Sequence, residues 1–123
     1  MSALYFGITE ALTVRRGYEK RYRCQLLTSD VDGNVVPQSL TGFTVTPGLR
    51  QTESKDGTAV SGVSPTAPTV DNDTGVFDYL LAQADTPTLI VGKRYWGYVH
   101  VAHATITGGK DELIRMLPIE IVA

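Results

Sequence analysis

The fold is decided by residues 93–122, which read KRYWGYVHVAHATITGGKDELIRMLPIEIV. Two apolar segments, 93–103 and 111–122, flank the pair Gly108-Gly109, and glycine pairs in this setting are typical of a tight turn. The first segment carries bulky side chains at both parities, which indicates a strand in the middle of a sheet. The second segment alternates apolar and polar residues. The stretch therefore predicts two well-packed strands joined as a β-hairpin.

Working outward, the preceding residues repeat the same short-strand pattern. Residues 12–27 alternate with period two, and Gly17 interrupts them, so two strands or one strand with a bulge are expected. Residues 42–51 alternate too, but Pro47 cannot donate a ladder hydrogen bond, which predicts an edge strand or a bulge. Residues 58–63 and 75–81 predict two further strands.

Helical periodicity with capping residues is confined to two weak turns, residues 9–12 and 81–85. About seven to nine short strands separated by turns predict an all-β fold, an antiparallel two-sheet β-sandwich of the immunoglobulin-like type. The chain of 123 residues has the length of one domain. We expect an N-terminal arm at residues 1–10 and the β-sandwich at residues 11–123.

Composition excludes several functional classes. The net charge of −2 and the pI near 5.6 provide no basic footprint, so a nucleic-acid partner is not expected. The N-terminal sequence lacks a signal-peptide pattern, and no run reaches the roughly 18 apolar residues of a membrane span. Cys24 is the only cysteine, so no intrachain disulfide is expected, and synthesis in a cytoplasm fits this.

Candidate catalytic and metal sites have simpler structural interpretations. Asp30, Asp32 and Asn34 resemble the start of a calcium loop, but position twelve of that loop is Thr41 rather than a bidentate glutamate, so a hairpin turn is preferred. His100 and His103 would point to opposite faces of a strand. Cys24 lies on the apolar parity of its strand and is interpreted as core. No catalytic residue, cofactor or metal site is predicted.

Three features are candidates for binding other molecules. A basic cluster at residues 15–23 is either a solvated strand face or a patch for an acidic neighbour. The loop 64–73 is polar and rich in proline and threonine, and long loops commonly contact partners. Aromatic residues 95, 96 and 98 could form a sugar-binding platform, although burial is favoured. Together with the arm, these features give the interface candidates Leu4, Tyr5, Phe6, Arg15, Arg16, Arg21, Arg23, Pro65 and Pro68.

The order of several short motifs carries a resemblance to a known family. Residues 27–36 read LTSDVDGNVV, residues 40–45 read LTGFTV, residues 73–79 read DTGVFDY, and Asp85-Thr86 precedes Gly92-Lys93-Arg94-Tyr95. This sequence resembles the small immunoglobulin-like module of tailed-bacteriophage virion proteins, found at the start of baseplate upper proteins and in small head decoration proteins. The resemblance spans roughly residues 12 to 122 and uses turn and strand motifs that unrelated sandwiches share.

The resemblance implies a non-enzymatic structural protein of a virion. Its expected partners are the major capsid protein or other virion subunits, and a homo-oligomer is expected. A capsid decoration or cement role is the leading interpretation, with contacts between subunits stabilising the assembled head. The alternatives are a neck, tail or baseplate component, or a module that binds a receptor or polysaccharide.

Overall fold

The computed structural model describes residues 5–6, 12–54, 56–103 and 112–123. Within these ranges the chain forms strands and one short 3-10 helix, Thr86–Thr88. The strands, in chain order, are β1 (Tyr5–Phe6), β2 (Leu12–Arg15), β3 (Lys20–Ser29), β4 (Val35–Pro37), β5 (Phe43–Arg50), β6 (Thr69–Asp71), β7 (Val76–Leu81), β8 (Arg94–His103) and β9 (Glu112–Val122).

The strands form two sheets whose order is that of an immunoglobulin-like sandwich. One sheet has the order β1-β3-β7-β6, with β4 also paired to β3, and the other has the order β2-β9-β8-β5. These orders match the A-B-E-D and C-F-G sheets of the immunoglobulin fold. The predicted all-β, two-sheet immunoglobulin-like sandwich is therefore confirmed.

One pairing differs from the predicted antiparallel arrangement. β2 runs parallel to β9, with Leu12 opposite Ile119 and Arg15 opposite Val122. The chain then turns at Gly17, where φ is 86°, and continues as β3 in the other sheet. The predicted break at Gly17 is confirmed. β2 and β3 belong to different sheets, so β2 pairs at the edge beside β9 instead of forming a hairpin with β3.

The predicted edge strand and the predicted central strand are both confirmed. β5, which contains Pro47, lies at the edge of its sheet, and β8 is its one partner among the described strands. β8 lies between β9 and β5, as its two bulky faces indicate. Its predicted turn to β9, around Gly108-Gly109, lies outside the described residues.

One prediction about the region between β5 and β7 is wrong. Residues 58–63 form no strand, and Ala59 makes only an isolated bridge to Arg50, because turns at residues 56–57 and 61–62 leave no room for a longer ladder. The predicted loop 64–73 contains the short strand β6, none of its residues is buried, and half-buried Ala67 packs against the core. This segment is the edge of the five-stranded sheet.

The core lies between the sheets and is built from the predicted apolar parities. Phe77, Tyr79 and Leu81 of β7 are all at most 1% exposed. They face buried residues of the opposite sheet, which include Val14, Val99, Val101, Leu117, Ile119 and Ile121. Alternation along each strand therefore sorts the side chains as the sequence predicts.

Tyr79 joins the two sheets at the centre of the core. Its hydroxyl donates a hydrogen bond of 2.8 Å to the carbonyl oxygen of Gly48 on β5. Gly97 lies beside the same hydroxyl, where a Cβ atom would sit 3.0 Å from the oxygen. Burial, together with Cys24 and Tyr98 nearby, raises the pKa of Tyr79, and Arg50 opposes that shift. The phenol therefore stays neutral and keeps its donor.

A second tyrosine fixes the corner that precedes β8. The backbone amide of Ile90 donates a hydrogen bond of 3.1 Å to the hydroxyl of Tyr95, which is 3% exposed. A tyrosine near the start of this strand, bonded to backbone a few residues upstream, is a hallmark of immunoglobulin-like sandwiches. Tyr95 therefore belongs to the core and not to a surface platform.

The turn motifs of the family resemblance meet at one end of the sandwich. The amide of Leu40 donates to the carbonyl of Asn72, and the side-chain amide of Asn72 donates to the Thr41 hydroxyl, each at 2.9 Å. Gly75 lies under this junction with φ of 75°, and a Cβ atom there would be 2.8 Å from the Leu26 carbonyl oxygen and closer still to that of Gln38. The Leu-Thr-Gly and Thr-Gly motifs therefore interlock.

Replacing Gly75 by alanine should destabilise the fold strongly. The variant combines a left-handed backbone conformation with backbone atoms that cannot move aside, so we expect a loss of about 3 kcal/mol in unfolding free energy. Gly33→Ala is the matched control, because Gly33 has φ of 83° and nothing within 4 Å of its Cβ position. It should cost about 1 kcal/mol. Urea denaturation measures both, and equal losses would contradict the steric argument.

Cys24 is buried in the core, as the sequence predicts, with 2% of its surface exposed. Burial raises the pKa of its thiol to about 12, reinforced by the Asp78 carboxylate and opposed by a backbone hydrogen bond from Tyr79. The folded pKa lies above the unfolded value of 9.0. The neutral thiol therefore contributes its full stability below pH 9, and this contribution is lost as the pH rises toward 12.

Comparison with Cys24→Ala tests this pH dependence. Between pH 9 and pH 11 the unfolding free energy of the native chain should fall by about 2 kcal/mol more than that of the variant, at roughly 1.4 kcal/mol per pH unit once the unfolded thiol is ionised. Tyr79 contributes a loss in the same direction to both proteins, so the difference isolates Cys24. Parallel curves from urea denaturation at each pH would show that the thiol does not ionise on unfolding.

Candidate interaction surfaces

The basic cluster at residues 15–23 does not form one patch. Arg15 lies at the end of β2 in the four-stranded sheet, whereas Arg21 and Arg23 lie on β3 in the five-stranded sheet. The interpretation of these residues as one strand face is wrong, because the chain crosses between the sheets at Gly17. Two separate basic groups result.

Arg21 and Arg23 surround a buried carboxylate. Nε of Arg23 lies 3.1 Å from one oxygen of Asp78, and Nη1 of Arg21 lies 3.5 Å from the other. The Asp78 side chain is only 4% exposed, and a buried carboxylate requires such partners. Arg21 also lies 3.5 Å from Glu19. These two cations are therefore matched by two carboxylates of the same chain, which leaves little excess charge for an acidic neighbour.

Arg15 and Arg16 contact a ring and a backbone carbonyl, whereas Arg21 and Arg23 contact a carboxylate. The Arg15 guanidinium lies 4.8 Å from the centre of the Tyr18 ring, and Nε of Arg16 donates a hydrogen bond of 3.1 Å to the carbonyl of Pro87. Within the described part of the chain, neither arginine forms an ion pair. Their positive charge therefore remains available at the surface.

The proline loop lies next to the Arg23–Asp78 group. The amide of Asp78 donates a hydrogen bond of 2.9 Å to the carbonyl of Pro68, and Thr66 pairs with Leu80 two residues further along β7. Pro68 is exposed and Pro65 is half-buried. The structure thus brings the predicted loop and one of the two basic groups to the same part of the five-stranded sheet.

Two residues of the predicted arm pair within the chain itself. Tyr5 lies opposite Leu27 and Phe6 lies opposite Leu26, so β1 extends the sheet beside β3. Leu4 lies outside the described residues. A boundary between arm and sandwich at residue 10 remains a prediction.

The aromatic residues of β8 separate by parity. Tyr95 is in the core, whereas Trp96 and Tyr98 are half-buried on the outer face of the four-stranded sheet. The Tyr98 ring covers Gly48 on the neighbouring strand, and the Arg50 guanidinium lies 4.5 Å from the ring centre and bonds the hydroxyl at 2.9 Å. Trp96 is therefore the ring of this group best placed for an outside ligand.

The candidate metal residues form an ordinary turn. One carboxylate oxygen of Asp30 accepts the amides of Asp32 and Asn34, both at 2.9 Å, which is an Asx turn. Among the described residues, no group of three or more potential ligands is placed to hold a metal ion. His100 and His103 lie opposite Thr46 and Phe43 on β5, three residues apart on one strand.

No pocket is found between the side chains of the described residues. None of their helical segments has the length and apolar character needed to cross a membrane.

Comparison with known proteins gives a structural likeness. No protein-family model and no curated protein sequence matches the chain. Among solved structures, it is similar to titin domain M7, with a TM-score of 0.48 and 12% identity, over 100% of this chain and 98% of that one. It is also similar to murine CRIg, with a TM-score of 0.41 and 13% identity, over 99% of this chain and 97% of that one. The fold assignment rests on the strand order and pairing described above.

Proposed function

We propose that the chain is a non-enzymatic structural subunit of a tailed-bacteriophage particle, and that it decorates the head shell and stabilises it by contacts between subunits. The proposal assigns it to the virion, with the major capsid protein or another virion subunit as its partner. The single observation that carries this proposal is the junction of the Leu-Thr-Gly and Thr-Gly motifs beneath Asn72.

The junction supports the proposal because the motifs of the family resemblance contact one another there. Motifs that only mark separate turns recur in unrelated sandwiches. Here Leu40, Thr41 and Gly75 contact one another through Asn72, Leu26 and Gln38, so their presence in the same order reflects one local architecture. The proposal rests on this local architecture together with the resemblance in the order of the motifs.

The surface chemistry is compatible with binding other proteins. Arg15 and Arg16 retain unmatched charge, and the exposed Pro68 segment forms a sheet edge beside β7. A subunit that binds at many equivalent positions on a shell stabilises the assembled state by mass action, without a catalytic centre. A neck, tail or baseplate position would use the same surfaces.

A polysaccharide-binding module is the rival function. Trp96 favours it, because this ring lies on an outer sheet face and is half-buried between Arg50 and Pro118 in the cross-strand register. Aromatic rings at partly exposed positions can stack on sugar rings. Tyr98 contributes less to such a platform, because Arg50 lies over its ring.

Purified particles provide the decisive test of the proposal. Phage particles isolated by density gradient from a strain that encodes this chain should contain it at a fixed ratio to the major capsid protein, measured by quantitative mass spectrometry. Particles from a deletion strain should lose their contents at lower temperature, and purified chain added back should restore the original release temperature. If the chain is absent from the particles, or if its loss leaves the heads unchanged, the head-decoration role is wrong.

Trp96→Ala separates the two functions. Under the virion proposal the variant should still restore particle stability, whereas under the rival function it should abolish binding on a glycan array that the native chain labels. Thermal unfolding of the variant serves as the control for folding. Glycan binding by the native chain that disappears in a folded Trp96→Ala protein would favour the rival.

A further inference from the structure

The large apolar side chains that remain exposed lie at the two ends of the sandwich. Among the described residues these are Tyr18, Val31, Val35, Val70, Ile90, Val91 and Val122, with exposures from 38% to 101%. β3 runs from Lys20, opposite Leu81, to Ser29, a length of roughly 30 Å. The turns at its start and its finish therefore define opposite ends of the molecule.

The first end, here called the basic end, consists of Tyr18, Ile90, Val91 and Val122 with Arg15 and Arg16. Backbone contacts join its three segments. The amide of Arg16 donates to the carbonyl of Val122, and the amide of Gly92 donates to the carbonyl of Ile121, each at 2.9 Å. The hydroxyl of Thr86 donates to the carbonyl of Tyr18 at 3.0 Å. Four exposed apolar side chains are thus held on one rigid surface beside two unmatched arginines.

Nearby carboxylates do not cancel these arginines. Glu19 pairs with Arg21 and Glu120 pairs with Arg94, whereas Asp85 accepts the amide of Ser64 and keeps its negative charge. Lys93, which follows Gly92 at this end, offsets the charge of Asp85. Glu53 and Asp56 belong to the loop after β5, which lies at the opposite edge of the sheet from β2, about 14 Å away by strand spacing. The basic end therefore combines apolar surface with net positive charge.

The second end, here called the acidic end, consists of Val31, Val35 and Val70 with Asp30, Asp32, Asp71 and Asp73. Every charged residue of segments 30–42 and 71–76 is an aspartate. Asp30 and Asp71 accept backbone amides of their own turns. Within the described residues none of the four forms an ion pair. Residues 104–111 lie outside the described ranges, and Lys110 and Asp111 add no net charge.

We propose that the basic end of one copy binds the acidic end of a second copy, so that the chain associates head to tail. Each end offers exposed apolar side chains, and the charges that flank them are opposite in sign, which fits one end to the other and repels like ends. Such a contact is heterologous, so it builds rings or open rows instead of closed two-fold dimers. The inference goes beyond the proposed function and does not require it.

The contact should be weak between free copies. A stable interface buries about 800 Å² on each partner, and three or four apolar side chains cover only part of that area. Copies that a larger assembly holds side by side have a high effective concentration, which makes weak contacts significant. We therefore expect association that is visible at high concentration and low salt.

Sedimentation velocity of the purified chain tests the association. Between about 10 µM and about 1 mM, the mean sedimentation coefficient should rise without a stop at the dimer value, and it should fall when salt is raised from about 0.05 M to about 0.5 M. The purified chain contains no phage component, so failure here is distinguishable from failure of the particle test. A monomer at all concentrations would overturn the proposal.

Charge reversal at each end identifies the two surfaces. Arg15→Glu with Arg16→Glu, and Asp32→Lys with Asp73→Lys, should each weaken self-association about tenfold or more. Asp32 and Asp73 are chosen because their side chains make no hydrogen bond among those described, whereas Asp30 and Asp71 support their turns. Circular dichroism checks that both variants fold.

Mixing the two reversed proteins gives the sharpest outcome. The first now has two acidic ends, whereas the second keeps its basic end and has a neutral opposite end, because two lysines and two aspartates cancel there. Each is a poor partner for itself, but the unchanged basic end of the second can bind the unchanged acidic end of the first. The mixture should therefore form pairs with an affinity within a few-fold of the native contact. Ile90→Ser combined with Val31→Ser should weaken the native contact without changing charge.

Thr46→Lys is the matched control, because Thr46 is exposed near the middle of β5, away from both defined ends. It should leave association unchanged. Association that persists unaltered in the Asp32→Lys, Asp73→Lys protein, or that is not restored by mixing, would overturn the head-to-tail arrangement and indicate a different contact surface.

Discussion

The hydrogen bond from Tyr79 to the carbonyl of Gly48 is the constraint on which the sandwich depends. Many immunoglobulin-like domains connect their two sheets by a disulfide, but this chain has a single cysteine. Here a neutral phenol reaches from β7 to β5 and satisfies a buried carbonyl at 2.8 Å. Gly97 on β8 keeps the necessary space open. Tyr79 therefore helps to fix the spacing of the two sheets in two ways, because its ring packs in the core and its hydroxyl bonds the opposite sheet.

The sequence predicts local structure well because its strands alternate strictly. The parity of Phe77, Tyr79 and Leu81 and the edge position of Pro47 follow directly from side-chain direction and missing donors. Pairing partners are harder to predict. Nothing local indicates that β2 joins β9 in parallel, since that choice depends on the path of the whole chain after Gly17.

The interaction surfaces are predictable only in part, for a related reason. A cluster of arginines in sequence becomes one patch only if the strand continues, and here the crossing at Gly17 sends Arg15 and Arg21 to different sheets. The exposed pair Ile90-Val91 resembles a strand in sequence, but the Tyr95 corner turns it outward. The parity of Asp78 in β7 predicts a solvent-facing side chain, but Arg21 and Arg23 contact its carboxylate and leave it 4% exposed.

The packing of Tyr98 over Gly48 has a consequence for how this protein can evolve. A side chain at position 48 would occupy the space of the Tyr98 ring, while the carbonyl of the same glycine accepts the Tyr79 bond on the inner side. A larger residue at position 48 requires the Tyr98 ring to move, so we expect substitutions at positions 48 and 98 to be coupled. Exposed positions away from this centre meet no such steric constraint, so we expect them to tolerate substitution independently of it.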